Sequence, residues 1–463
     1  MKNNRLNLSF LCVCLFLATG MCFAQTQENP DTAKTVTLTV EQAVAYANEN
    51  SKTLKSSAID LEIKKRASDL VWNQFLPSVN LSATMSRSNE YTDTVGAILG
   101  AINPMYQAPE VTESDHWTAV GNIGISWGFS FALVDGIRII KNNYEAGLIT
   151  WSQAVKQNEL QIKKLFYGLL LQQESLVLQK QSLVNAEQRV RQAQINYRNG
   201  RIPELQLLQT QVAYENKKPA VMKMEQAVNQ QLDLFAFMLG MPAGTKIVLE
   251  GEINPAFVEL DAEQLITDHI GNNPDIVSLQ KNLEILRLNL SVQNLQTFTP
   301  ALQLSWGFQP VVTDITGNWL DNYMDNGAFS ATLAWNLTNL LPFSTTRQQA
   351  KDTKANIEKL EISLSTLVEK TELDIRTQVD TLSQARASIE AVAGSIALAQ
   401  KSYDMTLASY RNGTSELLDL RDAEDQLNQA QLGLLNEKYN YLSGLLDLEY
   451  MLDTKLTKNQ EEQ

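Results

Sequence analysis

The 463-residue chain has three cysteines, and all of them, Cys12, Cys14 and Cys22, fall within its first 24 residues. Beyond that point no thiol is available to form a disulfide, ligate a metal or attack a substrate, so packing and pairing must stabilise the rest. Histidine is almost as scarce, with His116 and His269 far apart and neither a phosphate-binding loop nor a gathered set of carboxylates beside them. No catalytic constellation, metal site or cofactor follows from such residues, and an enzyme is not expected. After the first 24 residues no stretch reaches the ~18 consecutive apolar residues of a membrane-spanning helix. If this part of the chain meets a bilayer it must do so as a β-barrel, the other structure that satisfies every backbone group in hydrocarbon. Positive charge is also short: 38 Lys and Arg against 52 Asp and Glu leave a net charge of −14, which argues against nucleic acid as a partner.

The opening segment "MKNNRLNLSFLCVCLFLATGMCFA" carries Lys2 and Arg5, then an apolar run, then Cys22-Phe23-Ala24 before Gln25. This pattern reads as a secretory signal peptide, 1–24, cleaved after Ala24. A lipid anchor on Cys22 is the competing reading, but Met21 stands where a lipoprotein site has Gly or Ala. Cleavage would remove Lys2 and Arg5 and take the charge from −14 to −14 − 2 = −16.

Four segments alternate with period two. They are "SVNLSATMS" (78–86), "WTAVGNIGISWGF" (117–129), "LQLSWGFQ" (302–309) and "FSATLAWNL" (329–337). Each puts apolar and aromatic residues on one face and mostly small or polar ones on the other, over roughly 8–13 residues that bracket the ~9–11 a tilted outer-membrane strand needs. A half-buried sheet in a soluble domain gives the same alternation; the export signal and the aromatic residues toward strand ends favour lipid. Four strands cannot close a barrel, since membrane barrels begin at about eight, so several chains would have to share one. Trp117, Trp127, Phe129, Trp306, Phe308 and Trp335 are the candidate aromatic girdle.

Long stretches without proline follow the strand pairs. Leu169, Leu176, Leu183, Val190 and Tyr197 recur every seven residues, as do Leu382, Ile389, Ile396, Tyr403 and Tyr410. A second row, Val379, Ala393 and Leu407, is interrupted by Arg386 and Gln400. Such spacing predicts coiled-coil helices, the first from about 137 to 198 and roughly 90 Å long. Both series end on the tyrosine of the tetrapeptide YRNG, at Tyr197 and Tyr410, which lie 410 − 197 = 213 residues apart. Gly200 and Gly413 should stop the helices, and Pro203 and Thr414–Ser415 should start the returning ones.

The duplication extends further, because "NENSKTLKSSAIDLEIKKRA" (48–67) resembles "GNNPDIVSLQKNLEILRLNL" (271–290). A first repeat is expected over 25–240, with strands 77–87 and 117–130 and a helical tip at 199–203. A segment at 241–260 links it to a second repeat over 261–452, with strands 301–310 and 328–338 and a tip at 412–415, before a polar tail at 453–463. The stretches at about 88–116 and 310–327 read as surface loops.

"LTVEQAVAYANENSKTLKSS", "LPSVNLSATMS", "FMLGMPAG" and "YRNGTSELLDLRDAEDQLNQAQ" occur in the order and spacing of one family, and the mature chain resembles the TolC-like outer membrane efflux proteins over essentially its whole length. The resemblance implies a mixed α and β membrane protein, a homotrimer whose twelve strands form one barrel in the outer membrane, continued by a coiled-coil barrel across the periplasm. It implies tips that touch a periplasmic adaptor protein, here Asn199, Gly200, Arg201, Asn412, Gly413 and Thr414, and an inner-membrane transporter as the further partner. It places the gate acids on Asp419 and Asp422 and the gate tyrosine on Tyr410. Two positions depart from the family's pattern: Ser415 stands where some members have arginine, and Gln206 stands in the first half where Asp419 stands in the second.

From the residues alone, Asp419 and Asp422 at i, i+3 are either a solvated helix face near a helix N-terminus or, under threefold symmetry, stacked carboxylate rings of a pore. Tyr197 and Tyr410 serve equally as seam residues whose hydroxyls meet water. Passive conduction is the expected function: an exit duct for small molecules or drugs, or alternatively for secreted polypeptides. An exported structural coiled-coil protein is the reading from another class.

Overall fold

The computed structural model describes residues 35–90, 94–103, 105–107, 112–242, 244–313, 323–412 and 414–456. The expected signal peptide, the tip residue Gly413, parts of both expected surface loops and residues 457–463 of the tail lie outside these.

β1 (Thr35–Leu38) leads into α1 (Val40–Asn50), where Thr39 and Gln42 satisfy each other's backbone N–H in a capping box. Ser51 then ends α1 and caps α2 (Lys52–Asp69) by accepting from the Leu54 N–H. A short 3₁₀ turn and Pro77 turn the chain into β2 (Ser78–Arg87). The stretch expected as a loop contains α3 (Thr94–Ile102), whose apolar run of Ala97, Ile98, Leu99, Ala101 and Ile102 is helix-compatible despite Gly96 and Gly100. β3 (Trp117–Phe129) returns to α4 (Ala132–Arg198), which begins five residues before the start expected at about 137 (137 − 132 = 5), since Ala132 and Asp135 are buried at its first turn. α5 (Glu204–Leu239) and β4 (Lys246–Leu249) close the first half.

The second half runs α6 (Ala262–His269), α7 (Pro274–Phe298) capped by Asn273, β5 (Ala301–Phe308), β6 (Pro310–Val312), β7 (Met324–Asp325) and β8 (Phe329–Ala334). It ends in α8 (Thr345–Arg411) and α9 (Leu417–Leu452). The strand expected over 328–338 stops at Ala334, and Asn336 caps a 3₁₀ turn over Leu337–Leu340 instead. The one expected over 301–310 breaks at Gln309, whose backbone N–H donates to Asp325 Oδ1 rather than to a ladder partner.

α4 and α8 are each 67 residues long, about 100 Å at 1.5 Å per residue. α5 and α9 are each 36, and every boundary differs by the same offset: 345 − 132, 411 − 198, 417 − 204 and 452 − 239 all equal 213. Neither 67-residue helix contains proline, whereas α5 passes through Pro219, which removes one rung of its ladder.

The two larger apolar cores lie well away from the tips. Leu38, Ala47, Phe166, Leu170, Phe235 and Leu239 join α1, α4, α5 and the strands β1 and β4, which pair in parallel. Ile375, Leu382, Tyr441, Leu445 and Leu448 join α8 to α9 around Ile266 of α6. Buried Leu456 belongs to this second core, so the segment expected as a polar tail is anchored at its start. Toward the tips the burial of α4 passes to small residues, Ser182, Ala186 and Ala193, while Leu183 and Val190 of the heptad series are half-buried.

The main sheet is antiparallel in the order β2-β3-β5-β8, with β6 and β7 prolonging its last two strands beyond a break. β2 and β8 are its open edges.

Candidate functional site

Cross-strand pairing fixes which residues share a face. Val79 faces Ile125, Ile125 faces Trp306 and Trp306 faces Phe329, an apolar rung across all four strands. The rung beside it points the other way and consists of serines alone: Ser78, Ser126, Ser305 and Ser330. Trp117, Trp127, Phe129, Trp306 and Phe308 alternate onto the apolar face, and Trp335 follows the end of β8. Trp127, Phe129 and Trp335 gather at the helical end, where the Trp127 indole donates to the Phe75 carbonyl at 2.6 Å and the Trp335 indole to the Thr297 carbonyl at 3.2 Å. Trp117 stands at the opposite end beside Arg87, whereas Trp306 and Phe308 sit in mid-face opposite Ile125 and Ile123. The indoles of Trp127 and Trp335 thus reach a polar partner at the helical end while their rings lie on an apolar surface.

At the far end the two turns resemble each other. Arg201 N–H reaches back to the Asn196 carbonyl at 2.8 Å, and Thr414 N–H reaches the Ser409 carbonyl at 3.0 Å, the six-residue closure that ends a helix. Gly200 has φ +67°, a left-handed conformation costly for any residue with a Cβ. Asn199 caps α4 and Asn412 caps α8, so Asn199, Gly200, Arg201, Asn412 and Thr414 all sit at the hairpin tips, at or near the surface. A cavity of about 850 Å³ shows that both turns lie at one level, since Pro203, Gln206 and Gln209 of the first hairpin and Glu416, Leu418 and Arg421 of the second line it together.

The returning helices start differently. Pro203 opens α5 with no side-chain cap. In α9, the N-cap is Glu416 rather than Thr414 or Ser415, and Asp419 Oδ2 accepts from the Glu416 N–H at 3.1 Å and from the Ser415 hydroxyl at 2.9 Å. Asp419 therefore has a local role, satisfying an orphan donor at a helix N-terminus. Asp422 is exposed one turn further on and makes no side-chain hydrogen bond or ion pair among the described residues. Tyr410 is half-buried on α8, and burial pushes its hydroxyl up from the ordinary value, with the Arg189 guanidinium pulling the other way.

A buried ionic cluster, absent from the expected site, joins the hairpins. Glu424 of α9 is 2% exposed and faces Arg189 of α4 at 2.6 Å, with the Asn185 amide donating at 3.1 Å. Lys217 of α5 lies 3.9 Å away and donates to the Ser182 hydroxyl at 2.6 Å. Three helices converge on one carboxylate. Its signal in the sequence is its spacing: with Leu420, Ala423 and Leu427, Glu424 completes a 3,1,3 apolar stripe in which a charge is out of place.

A four-stranded sheet with one apolar face and one polar face, standing on two helical hairpins about 100 Å long, defines the subunit fold of an outer membrane channel. The solved structure of the outer membrane protein VceC from Vibrio cholerae has that fold, with a TM-score of 0.71 at 14% identity over 90% of this chain and 96% of that one. So does the Campylobacter jejuni CmeC outer membrane channel, with a TM-score of 0.72 at 15% identity over 91% and 88%. The chain belongs to the outer membrane efflux protein family, whose profile matches residues 44–241 and 265–453. A local stretch of 80 residues is 32% identical to the outer membrane protein TolC of Salmonella enteritidis, covering 17% of this chain and 16% of that protein. The protein accordingly resides in the outer membrane, with its helices extending into the periplasm.

Proposed function

We propose that three copies of the chain form a passive exit duct, the outer membrane component of a tripartite system that takes small molecules from a periplasmic adaptor and an inner-membrane pump to the exterior. One observation carries this reading: the sheet has a lipid-compatible face, an uncharged polar face and two open edges, β2 and β8. Open edges in hydrocarbon leave backbone groups unsatisfied, and joining β8 of one copy to β2 of the next removes all of them in a barrel of 3 × 4 = 12 strands. In this arrangement the aromatic residues meet lipid and its headgroups, and the helices continue the wall.

The common offset of 213 supports descent of the two halves from one duplicated unit. The turns at 199–203 and 412–415 are then the adaptor-contacting tips. Asp419 and Asp422, carried on α9 where α5 has Gln206 and Gln209, form the gate with Tyr410. Reconstitution in planar bilayers tests the duct: stepwise conductance from a particle of trimer mass is expected. A folded monomer without conductance would leave an exported coiled-coil rod as the better description.

A further inference from the structure

The polar face of the sheet has a feature that the duct reading does not require. β2, β3, β5 and β8 together contain one charged residue, Arg87, at the end of β2. One rung of that face is serine in every strand, and its hydroxyls are paired: Ser78 Oγ lies 2.5 Å from Ser126 Oγ, and Ser305 Oγ lies 2.7 Å from Ser330 Oγ. The next rung toward the loops has Gly124 and Gly307 in its two central strands, so no bulkier side chain there screens the serines from the space they face.

We propose that this serine rung is a charge-neutral solvating ring of the barrel, one that admits cargo of either charge. The inference rests on the trimeric duct, in which three copies place 3 × 4 = 12 hydroxyls at one level of the lumen. A hydroxyl is both donor and acceptor and rotates to suit, so the ring solvates an anion through its hydrogens and a cation through its oxygens. A ring of carboxylates or ammonium groups would instead repel one sign. Cross-strand pairing keeps each hydroxyl hydrogen-bonded when no solute is near, so passage exchanges one bond for another of similar strength. The barrel thereby leaves discrimination by charge to the helical end of the duct.

Two measurements test this on the full-length protein. In planar bilayers, Ser126→Asp should raise the ratio of cation to anion permeability roughly fivefold or more, and Ser126→Lys should shift it as far the other way, as expected for fixed charge lining a water-filled lumen. Either variant conducting with unchanged selectivity would overturn the ring's role. In parallel, Ser126→Cys and Ser305→Cys should react with an anionic and a cationic water-soluble thiol reagent at rates within roughly threefold of each other, while Ile125→Cys and Phe329→Cys should react with neither. A strong preference for one reagent, or labelling at Ile125 and Phe329 instead, would overturn the proposal. Wild-type protein that conducts nothing would refute the duct itself, and the labelling pattern would still decide which face meets water.

Discussion

The two hairpins match in length to the residue and differ in chemistry at their tips. The first turns through Gly200, starts α5 at an uncapped Pro203 and presents Gln206 and Gln209. The second starts α9 with a reciprocal Glu416–Asp419 cap and presents Asp422 in the open. Equal length serves geometry, since both tips must reach one level, while unequal chemistry allows the hairpins different tasks. Glu424 holds them together: it belongs to the second hairpin and finds its partners, Arg189 and Lys217, in the first.

The largest expected effect comes from breaking that tie. Glu424→Ala leaves the Arg189 guanidinium buried without its carboxylate and should cost about 3–5 kcal/mol. It should appear as a lowered thermal midpoint of helical circular dichroism. Pairing Arg189→Met with Glu424→Leu should recover much of the loss, because apolar packing can replace a buried ion pair. If Glu424→Ala unfolded no earlier than the parent, the hairpins would not be coupled through this cluster.

Next in size is the difference between the acids and the amides. Di- or trivalent cations should block the duct, and Asp419→Ala with Asp422→Ala should weaken that block about tenfold or more, while Gln206→Ala with Gln209→Ala should change it far less. Asp419→Asn sharpens the contrast, since it keeps a capping oxygen and removes the charge. Single-channel recordings read both effects, and equal block in all variants would leave Asp419 as a helix cap alone.

Smaller still is the cost of a side chain at Gly200. With φ at +67° and open space where a Cβ would project, Gly200→Ala meets backbone strain without a clash, and about 1 kcal/mol is expected. Comparing thermal midpoints of the variant and the parent checks it. The last expected effect is alkaline. Burial raises the hydroxyls of Tyr403, with Glu424 adding to the shift, and of Tyr410. A folded-state pKa above the unfolded one means that their contribution is complete below pH ~10 and is lost as pH rises through the folded value. The second hairpin should therefore loosen under strong alkali, and Tyr403→Phe with Tyr410→Phe should reduce that sensitivity in a titration followed by circular dichroism, with half-buried Tyr450 of α9 supplying the remainder.

Much of this architecture is written in local patterns. Alternation marks β2, β3, β5 and β8, and a seven-residue spacing marks α4 and α8, because each element buries or exposes a face of its own. What the sequence conceals depends on distant partners. Thr35–Leu38 is a strand only because Lys246–Leu249 lies beside it. The Glu424 cluster is concealed by the same distance, since Arg189 precedes it by 424 − 189 = 235 residues. Asp419 shows a related limit: the sequence leaves open both a residue near a helix N-terminus and a gate acid, and the hydrogen bonds from Ser415 and the Glu416 backbone add a capping role that spacing alone does not specify. The serine rung required strand register, which period-two alternation alone leaves open.

The shared 67-residue length also makes the helices a ruler. Seven residues advance a helix by about 10 Å and return its seam to nearly the same direction, whereas other increments rotate the seam away from its partner. A lineage adapting this protein to a wider or narrower periplasm could therefore lengthen or shorten it only in near-multiples of seven, in both hairpins together and on both arms of each. A lone insertion in α4 would leave one set of turns standing beyond the other and pull Arg189 out of step with Glu424.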